Sequence, residues 1–482
     1  MSANLTTNTT KTSPPSWLNN HVKKALDDWH KPNVGQSPLA GLYIFREFLA
    51  KVQMNHRRVT NEILLAGIRR LEQTQEGYAT YLQQRYINET SIAALARMYK
   101  ISQPVVYDRQ KAALEWLSNV LWDMEQEEHQ VHQAKMLSRL EPSTYVNLIG
   151  AEGHQTHLIE KISSADAPHI LLLTGIGGIG KTSLTDRTVR RCIEEGVVDE
   201  VGWVTARQQQ LTLLSQIEPI EAFQITAHTT EMVVRELCLQ LMPELPLPTN
   251  FSLNDATKAL ENHLNQYPHL IVLDNLETVE DIRGLLLLLR RLANPSKFLM
   301  TSRENLHEYP DVHHYPVPPL GEADAFALIR QEAKRQAMTY IVDSSDEALG
   351  PIYETVGGNP LALRLVVGLA RYDAIGDILS DLKEADNQTA DQLYRYIYRH
   401  AWDKLDLLEK KVFLTMFMTQ TSGEELDIVV QNSGLTKRQV RESLRTLGRL
   451  NLVNVQGDLH APRYSVHNLT LSFLLEQVSQ WL

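Results

Sequence analysis

Apolar and polar residues recur with different periods along the chain, and the change of period divides it. From residue 17 to about residue 140, apolar residues recur every three or four positions and glycines are few after Gly41. This period predicts an all-helical segment. From residue 145 to residue 301, short apolar runs alternate with amphipathic segments, which predicts a parallel sheet covered by helices on both faces.

The elements of this α/β segment can be bounded from the same pattern. Its strands are predicted over residues 169–174, 200–205, 269–273 and 297–301. Its helices are predicted over residues 181–195, 229–241, 255–266 and 279–293.

The pattern becomes helical again beyond residue 319. Helices are predicted over residues 322–337, 347–356, 360–369, 394–402, 407–418, 424–432 and 437–447. We expect Gly448 to end the last of them as a C-cap. Two short strands around residues 452–455 and 464–466 then complete a winged-helix pattern.

Composition narrows the classes of protein that remain. The chain has 482 residues, of which 43% are hydrophobic and 22% charged, values typical of folded globular proteins. A net charge of -11 argues against a protein that coats nucleic acid generally. Its 2 cysteines are too few for a disulfide framework, and neither a secretory signal nor a membrane span is recognisable. We therefore expect a cytoplasmic protein with no membrane partner.

A glycine-rich turn follows the first predicted strand and is the strongest chemical signal. Gly175, Gly180, Lys181 and Thr182 match the pattern G-x-x-x-x-G-K-[ST], in which backbone N–H groups surround phosphates and the lysine reaches the β and γ oxygens. The hydroxyl of such a loop holds Mg²⁺. The predicted phosphate contacts are Gly175, Gly177, Gly178, Ile179, Gly180, Lys181, Thr182 and Ser183.

Two later strand ends add candidate catalytic residues. Asp274 ends an apolar run, which places its carboxylate where α/β folds bind ligands, and we predict that it holds Mg²⁺ together with Thr182. An acidic base is often found at the next position, but Asn275 stands there and Glu277 is the nearest remaining carboxylate. Slow or absent hydrolysis is therefore expected. Arg303 ends the following strand and is predicted to approach a γ-phosphate.

Within the first helical segment, residues 78 to about 117 predict a helix-turn-helix. Its helices are predicted over residues 78–86, 91–99 and 103–114, with Ser91 as an N-cap. The segment resembles the helix-turn-helix of region four of bacterial sigma factors. That resemblance implies a DNA-facing set of Gln103, Tyr107, Arg109, Gln110 and Lys111. Residues 76–120 carry only 5 positive against 4 negative side chains, so a protein-binding role is an equal alternative.

Taken in order, the motifs of residues 147–477 resemble the NB-ARC group of STAND-class P-loop ATPases. The matching motifs are the glycine-rich turn, the strand ending at Asp274, residues 301–303, residues 357–362 and residues 466–468. The resemblance implies that Pro360 packs against adenine and that His467 contacts the β-phosphate of ADP. It also places Ile149 in the segment that enters the nucleotide site.

The sequence departs from the family at three points. The entry motif usually ends in Gly-Arg but here reads Gly150-Ala151, and Asn468 replaces the acidic residue that usually follows the histidine. Family members commonly continue into sensor repeats, whereas this sequence stops at Leu482. We therefore expect the activating signal to arrive through a separate sensor or activator protein.

The resemblance turns these segments into a predicted multidomain fold. It comprises a disordered tail (1–16), an α-helical N-terminal domain (17–144), an α/β P-loop NTPase with a parallel sheet (145–318), a helical ARC-type subdomain (319–391) and a C-terminal winged helix (392–482).

The leading hypothesis is an ATP/ADP-dependent switch. ADP would hold the chain closed, and exchange for ATP would allow homo-oligomerisation, with the N-terminal domain as output in transcription regulation, defence or cell death. The alternatives are a DNA-binding regulator with ATP-tuned assembly and, ranked lower, a turnover ATPase motor. Any ATPase activity is expected to be slow.

Overall fold

The computed structural model describes most of the chain. The residues outside the description are 1–12, 32–34, 52–54, 144, 146, 207–228, 244–251, 266–267, 277–278, 280, 304–305, 307–308, 385–389, 419–422, 458–460, 468–469, 472, 475–476 and 478–482. The described chain divides into two compact units, Met1–Lys135 and Met136–Leu482. Most of the predicted N-terminal tail lies outside the described residues.

The first unit is helical, as its apolar period predicts. Its helices are α1 (Leu18–Asp27), α2 (Tyr43–Lys51), α3 (His56–Leu82), α4 (Ile92–Tyr99) and α5 (Gln103–Ser138), with a π-helical turn at Gln83–Ile87. The predicted N-cap is confirmed, because the Ser91 hydroxyl accepts a hydrogen bond from the Ala94 N–H at 3.2 Å. Leu95 of α4 is fully buried.

The second unit is built around a parallel sheet, which confirms the predicted α/β core. Its strands are β1 (Ile170–Thr174), β2 (Glu200–Thr205), β3 (His269–Asp274), β4 (Lys297–Ser302) and β5 (Val312–Pro316), in the spatial order β2-β3-β4-β1-β5. All four pairings are parallel. β5 was not predicted, because it is a half-exposed edge strand of mixed composition rather than an apolar run.

Helices cover both faces of the sheet. They are α6 (Glu152–Ser163), α7 (Lys181–Glu194), α8 (Thr230–Leu241), α9 (Leu253–Leu264) and α10 (Ile282–Leu292). Alternate residues of β1 enter different cores: Leu172 packs in the cluster with α8, α9 and α10, whereas Leu171 packs in the cluster with α6 and α7. This two-sided burial explains why the central strands are apolar throughout.

The rest of the second unit is mainly helical. Its helices are α11 (Glu322–Arg335), α12 (Thr339–Val342), α13 (Asp346–Val356), α14 (Pro360–Leu369), α15 (Ile375–Glu384), α16 (Ala390–Lys404), α17 (Leu407–Thr415), α18 (Leu426–Ser433) and α19 (Lys437–Arg449). Strands β6 (Glu424–Glu425), β7 (Asn454–Gly457) and β8 (Pro462–Ser465) form an antiparallel sheet in the order β6-β8-β7. One apolar core runs from Ala325 in α11 to Leu474.

Two local predictions in this part were wrong. The helix predicted from residue 424 begins with β6, because Glu424 and Glu425 pair with Tyr464 and Arg463. Gly448 does not end α19, which continues to Arg449. The left-handed position after the helix is taken by Asn451, at φ 58°, a conformation that asparagine tolerates nearly as well as glycine.

Across the helices that the structure describes, we find no stretch long and apolar enough to cross a bilayer.

Candidate functional site

The glycine-rich turn connects the end of β1 to the start of α7. Gly180 adopts φ 101° immediately before the helix, a conformation that is strained for any residue with a Cβ. The Lys181 side chain folds back over the turn, and its Nζ donates to the Gly175 carbonyl at 2.8 Å and to the Ile176 carbonyl at 3.3 Å. The turn therefore presents backbone N–H groups, a helix N-terminus and an ammonium group at one place, the combination that binds phosphate.

Asp274 lies beside this turn at the carboxyl end of β3. Its side chain is fully buried, and its Oδ1 accepts hydrogen bonds from the hydroxyls of Thr182 at 2.8 Å and Thr301 at 2.6 Å. Its Oδ2 accepts from the Asn275 side-chain amide at 2.8 Å. The two residues predicted to hold Mg²⁺ are thus in direct contact, across 92 residues of sequence.

Asn275 is a structural partner of Asp274. It has φ 61°, its backbone N–H donates to the Thr301 hydroxyl at 2.9 Å, and its side chain is directed to the Asp274 carboxylate. An amide has no basic group with which to activate water. Glu277, the sequence's other candidate for that task, lies outside the described residues.

The strand order explains why these residues meet. β4 lies between β1 and β3, and its Ser302 pairs with Thr174, the residue before the glycine-rich turn. The carboxyl ends of parallel strands share one edge of a sheet, where α/β folds bind ligands. Arg303 follows Ser302 at this edge and its side chain is exposed. It thus follows the strand that pairs with β1, and its approach to a phosphate stays a prediction.

The segment before α14 contacts the glycine-rich turn directly. The Asn359 amide donates to the Gly177 carbonyl at 3.0 Å, and the Leu361 N–H donates to the Gly178 carbonyl at 3.4 Å. The Asn359 Oδ1 also caps α14 by accepting from the N–H groups of Leu361 at 3.1 Å and Ala362 at 3.3 Å. One buried side chain therefore joins the turn to a helix of the C-terminal core.

Gly358 explains how this segment approaches so closely. A Cβ built at Gly358 would lie 1.9 Å from the Leu320 carbonyl oxygen, and the Leu320 N–H donates to the Gly358 carbonyl at 2.8 Å. Since a backbone atom cannot move aside as a flexible side chain can, only glycine fits here.

The remaining predicted contacts lie on three different segments of the second unit. Pro360 is the first residue of α14 and is partly buried, next to the contacts of Asn359. Ile149 precedes α6 and is partly buried. His467 follows β8, and its carbonyl accepts from the Leu471 N–H at 3.0 Å. The contacts of Ile149, Pro360 and His467 with a nucleotide stay predictions.

In the first unit, the five residues of the expected DNA-facing set separate into two groups. Gln103, Tyr107 and Lys111 are exposed on α5. Arg109 lies over the Tyr99 ring at 4.5 Å and donates to the Gly77 carbonyl, whereas Gln110 donates to the Tyr86 hydroxyl at 2.8 Å. These last two contacts lie within the unit, so the five do not form one free surface.

Two residues at the site were missed as contacts from the sequence. Thr301 appeared only as part of a strand-end motif, and Asn359 only as the residue between a glycine pair and a helix start. A hydroxyl at a strand end could have marked Thr301, but only the adjacency of β3 and β4 reveals its partner. For Asn359 the local signal is that of an N-cap, which gives no indication of the turn some 180 residues earlier.

The parallel sheet, the glycine-rich turn and the buried aspartate define a P-loop nucleotide-binding domain. Residues 151–338 match the NB-ARC domain model. A disease resistance-like protein of Arabidopsis thaliana is 27% identical over 337 residues, which cover 67% of this chain and 24% of that protein. The match of residues 151–338 to the NB-ARC domain model and the similarity to the plant protein agree with the predicted P-loop NTPase core. The family resemblance is confirmed for this part.

A solved structure gives a further comparison. A STAND protein with a tetratricopeptide repeat sensor from Pyrococcus horikoshii aligns with a TM-score of 0.43 at 15% identity, covering 70% of this chain and 43% of that one. The chain thus spans about a quarter of the length of its plant relative and less than half of this archaeal protein.

Proposed function

We propose that this protein is a nucleotide-dependent signalling switch, held closed by ADP and released by ATP to form homo-oligomers. The observation that carries the proposal is the hydrogen bond from the Asn359 amide to the Gly177 carbonyl. Because Gly177 lies in the phosphate-binding turn, any change of the turn on exchange of nucleotide changes the environment of Asn359. A ligand shifts such an equilibrium only through different contacts in the two states.

The nucleotide contacts supply that difference. Lys181, Thr182 and Asp274 would serve ADP and ATP alike, whereas Arg303 at the edge beside β1 would favour the γ-phosphate of ATP. His467 would favour ADP from the C-terminal end of the unit, in a winged helix built from α17 to α19 and the small sheet. Pro360 would pack on adenine. The shared apolar core from α11 to Leu474 supports joint movement of these helices.

Mg²⁺ is the metal that this donor set suits. The Thr182 hydroxyl and the Asp274 carboxylate offer two hard oxygen atoms beside the turn, and phosphate oxygens and water would complete the shell. When bound, the ion would neutralise charge on the phosphates. Hydrolysis would be slow, since the position after Asp274 holds an amide that is itself bound to the carboxylate.

Mass measurement tests the switch. Light scattering after size-exclusion chromatography should give a monomer with ADP and an oligomer with a non-hydrolysable ATP analogue, and Lys181→Ala should remain monomeric with both. Lys334→Ala, at an exposed lysine of α11, is the matched control and should behave as the unaltered chain. A monomer under every condition would overturn the proposal.

We place the signalling output of the switch in the first unit, and we favour a protein as the partner that this unit binds. Exposed apolar side chains cluster in sequence at the helix-turn-helix: Met98 is 54%, Val105 47% and Tyr107 57% exposed. Apolar surface of this kind suits protein contacts better than phosphates. DNA binding is the alternative, and fluorescence anisotropy with a labelled duplex decides between them. Salt-sensitive binding that Lys111→Ala weakens would overturn our preference.

A further inference from the structure

Helix α19 carries a row of arginines on one face. Arg441, Arg445 and Arg449 are spaced four residues apart, so they stack along the helix, and all three side chains are exposed. Within the described part of the chain, none of the three forms an ion pair. Like charges at this spacing repel each other and weaken a helix. The row therefore suits a helix that meets an anion from outside.

These arginines line a cleft of about 800 Å³. Arg371, Ala337 and two residues of the small sheet, Val455 and Tyr464, also line it. Ligand sites for small molecules typically enclose about 300–1,000 Å³, and this cleft falls within that range.

The acidic residues that line the cleft are already neutralised. Asp427 pairs with Lys437 at 2.5 Å, and Glu425 pairs with Arg463 at 3.5 Å. The positive charge of the arginine row is therefore not balanced by a free carboxylate among the residues that line the cleft. Guanidinium groups bind phosphates in a bidentate manner and remain charged at every physiological pH.

We propose that this cleft binds a small ligand that carries several phosphate groups. Arg371 and the row of α19 would share the phosphates, and Tyr464 with Val455 would contact an apolar or aromatic part of the ligand. A duplex receives a protruding helix in its groove, whereas the arginine face of α19 forms the wall of a cavity. The cleft shares no lining residue with the glycine-rich turn, so the two sites are separate.

Such a ligand would also act on the conformation of the second unit. Without it, the arginines that line the cleft repel each other; with it, Arg371 and the row of α19 contact the same anion. Binding would therefore favour the arrangement in which α11 and α19 stay close, in addition to any effect of ADP or ATP.

Calorimetry with inorganic tripolyphosphate tests the proposal on the full chain. Excess ADP keeps the glycine-rich turn occupied, and a parallel titration uses Lys181→Ala. We expect one tripolyphosphate per chain in both cases, with affinity at least tenfold weaker in Arg445→Gln. The matched control is Arg438→Gln, on the same helix, whose side chain is 88% exposed, pairs with Glu442 and does not line the cleft.

Four results would contradict the proposed site. Absence of binding, equal weakening in Arg438→Gln, or loss of binding in Lys181→Ala would overturn the proposal, as would tighter binding of duplex DNA that depends on Arg445. Arg445→Lys should restore part of the affinity, since it keeps the charge but not the planar fork. If the chain fails to bind ADP, the proposed switch fails, yet the titration of Lys181→Ala still reports on the cleft.

Discussion

At the scale of single residues, hydrogen bonds at the site converge on Asp274. Its carboxylate is fully buried and accepts from two hydroxyls and one amide. A buried charge of this kind is tolerated because its oxygens have partners. The arrangement holds the carboxylate in place before any metal or phosphate arrives.

Thr301→Val tests how much this support contributes. Valine keeps the shape but removes the donor to Asp274 and leaves the buried N–H of Asn275 without its acceptor. We expect a loss of about 1–3 kcal/mol in the free energy of unfolding, measured by urea denaturation. Thr301→Ser keeps the hydroxyl and should lose clearly less. Equal losses in the two variants would show that packing, not hydrogen bonding, is what Thr301 contributes.

The reactivity of both cysteines is also determined by their surroundings. Cys192 and Cys238 are buried, and burial raises the pKa of the Cys192 thiol to about 12 and that of the Cys238 thiol to about 11. Since the thiolate is the reactive form, neither is suited to nucleophilic or redox chemistry in the folded chain.

At the scale of elements, the short segment from Gly357 to Asn359 is the connection between the phosphate-binding turn and α14. Asn359 serves both sides: its oxygen caps the helix and its amide holds the turn. Asparagine can serve both sides because its side-chain oxygen accepts hydrogen bonds while its side-chain amide donates them.

Two substitutions separate these roles. Asn359→Asp keeps a capping oxygen but places an oxygen against the Gly177 carbonyl, whereas Asn359→Ala loses the cap as well. We expect both to weaken ADP binding about tenfold, the equivalent of one hydrogen bond. Only Asn359→Ala should lose a further ~1 kcal/mol of stability from the missing cap. Calorimetry and thermal unfolding measure the two effects, and unchanged ADP affinity in both variants would contradict the connection.

At the scale of the whole molecule, a buried charged cluster joins α11 and α14 to the end of α19. Glu332 accepts from Arg335 and lies 3.4 Å from Arg364, and Asn451 donates to the Arg364 carbonyl at 2.6 Å. Burial by itself would raise the pKa of Glu332, but the Arg335 hydrogen bond and the Arg364 charge outweigh it, so this pKa lies below its ordinary value of 4.5.

The cluster predicts acid sensitivity. Because the pKa of Glu332 is lower in the folded chain, its carboxylate stabilises the fold at pH values above the ordinary pKa of 4.5. This contribution is lost as the pH falls through the folded-state pKa. Glu332→Gln should lose about 1–2 kcal/mol at neutral pH and show a flatter acid limb in urea denaturation. Asp311→Asn, in an exposed pair with Arg290, should change far less. An unchanged acid limb in Glu332→Gln would contradict the prediction.

Features that depend only on neighbouring residues could be predicted from the sequence. Apolar runs bounded by turns predicted β1 to β4, and the pattern from Gly175 to Thr182 predicted the phosphate-binding turn, because strand formation and glycine geometry are local. The run that ends at Asp274 predicted a carboxylate at a ligand-binding edge for the same reason. Edge strand β5 and helix α6 carried weaker patterns and were missed.

Which of these features contact each other depends on the tertiary structure. The order β2-β3-β4-β1-β5 places Thr301 beside Asp274 and Ser302 beside Thr174. The crossover connections that produce this strand order leave no local pattern in the sequence. Asn359 reaches Gly177, and Arg371 lines the same cleft as the arginine row of α19, for the same reason. Periodicity reports whether a residue is buried, but the identity of its partner depends on packing between segments far apart in sequence.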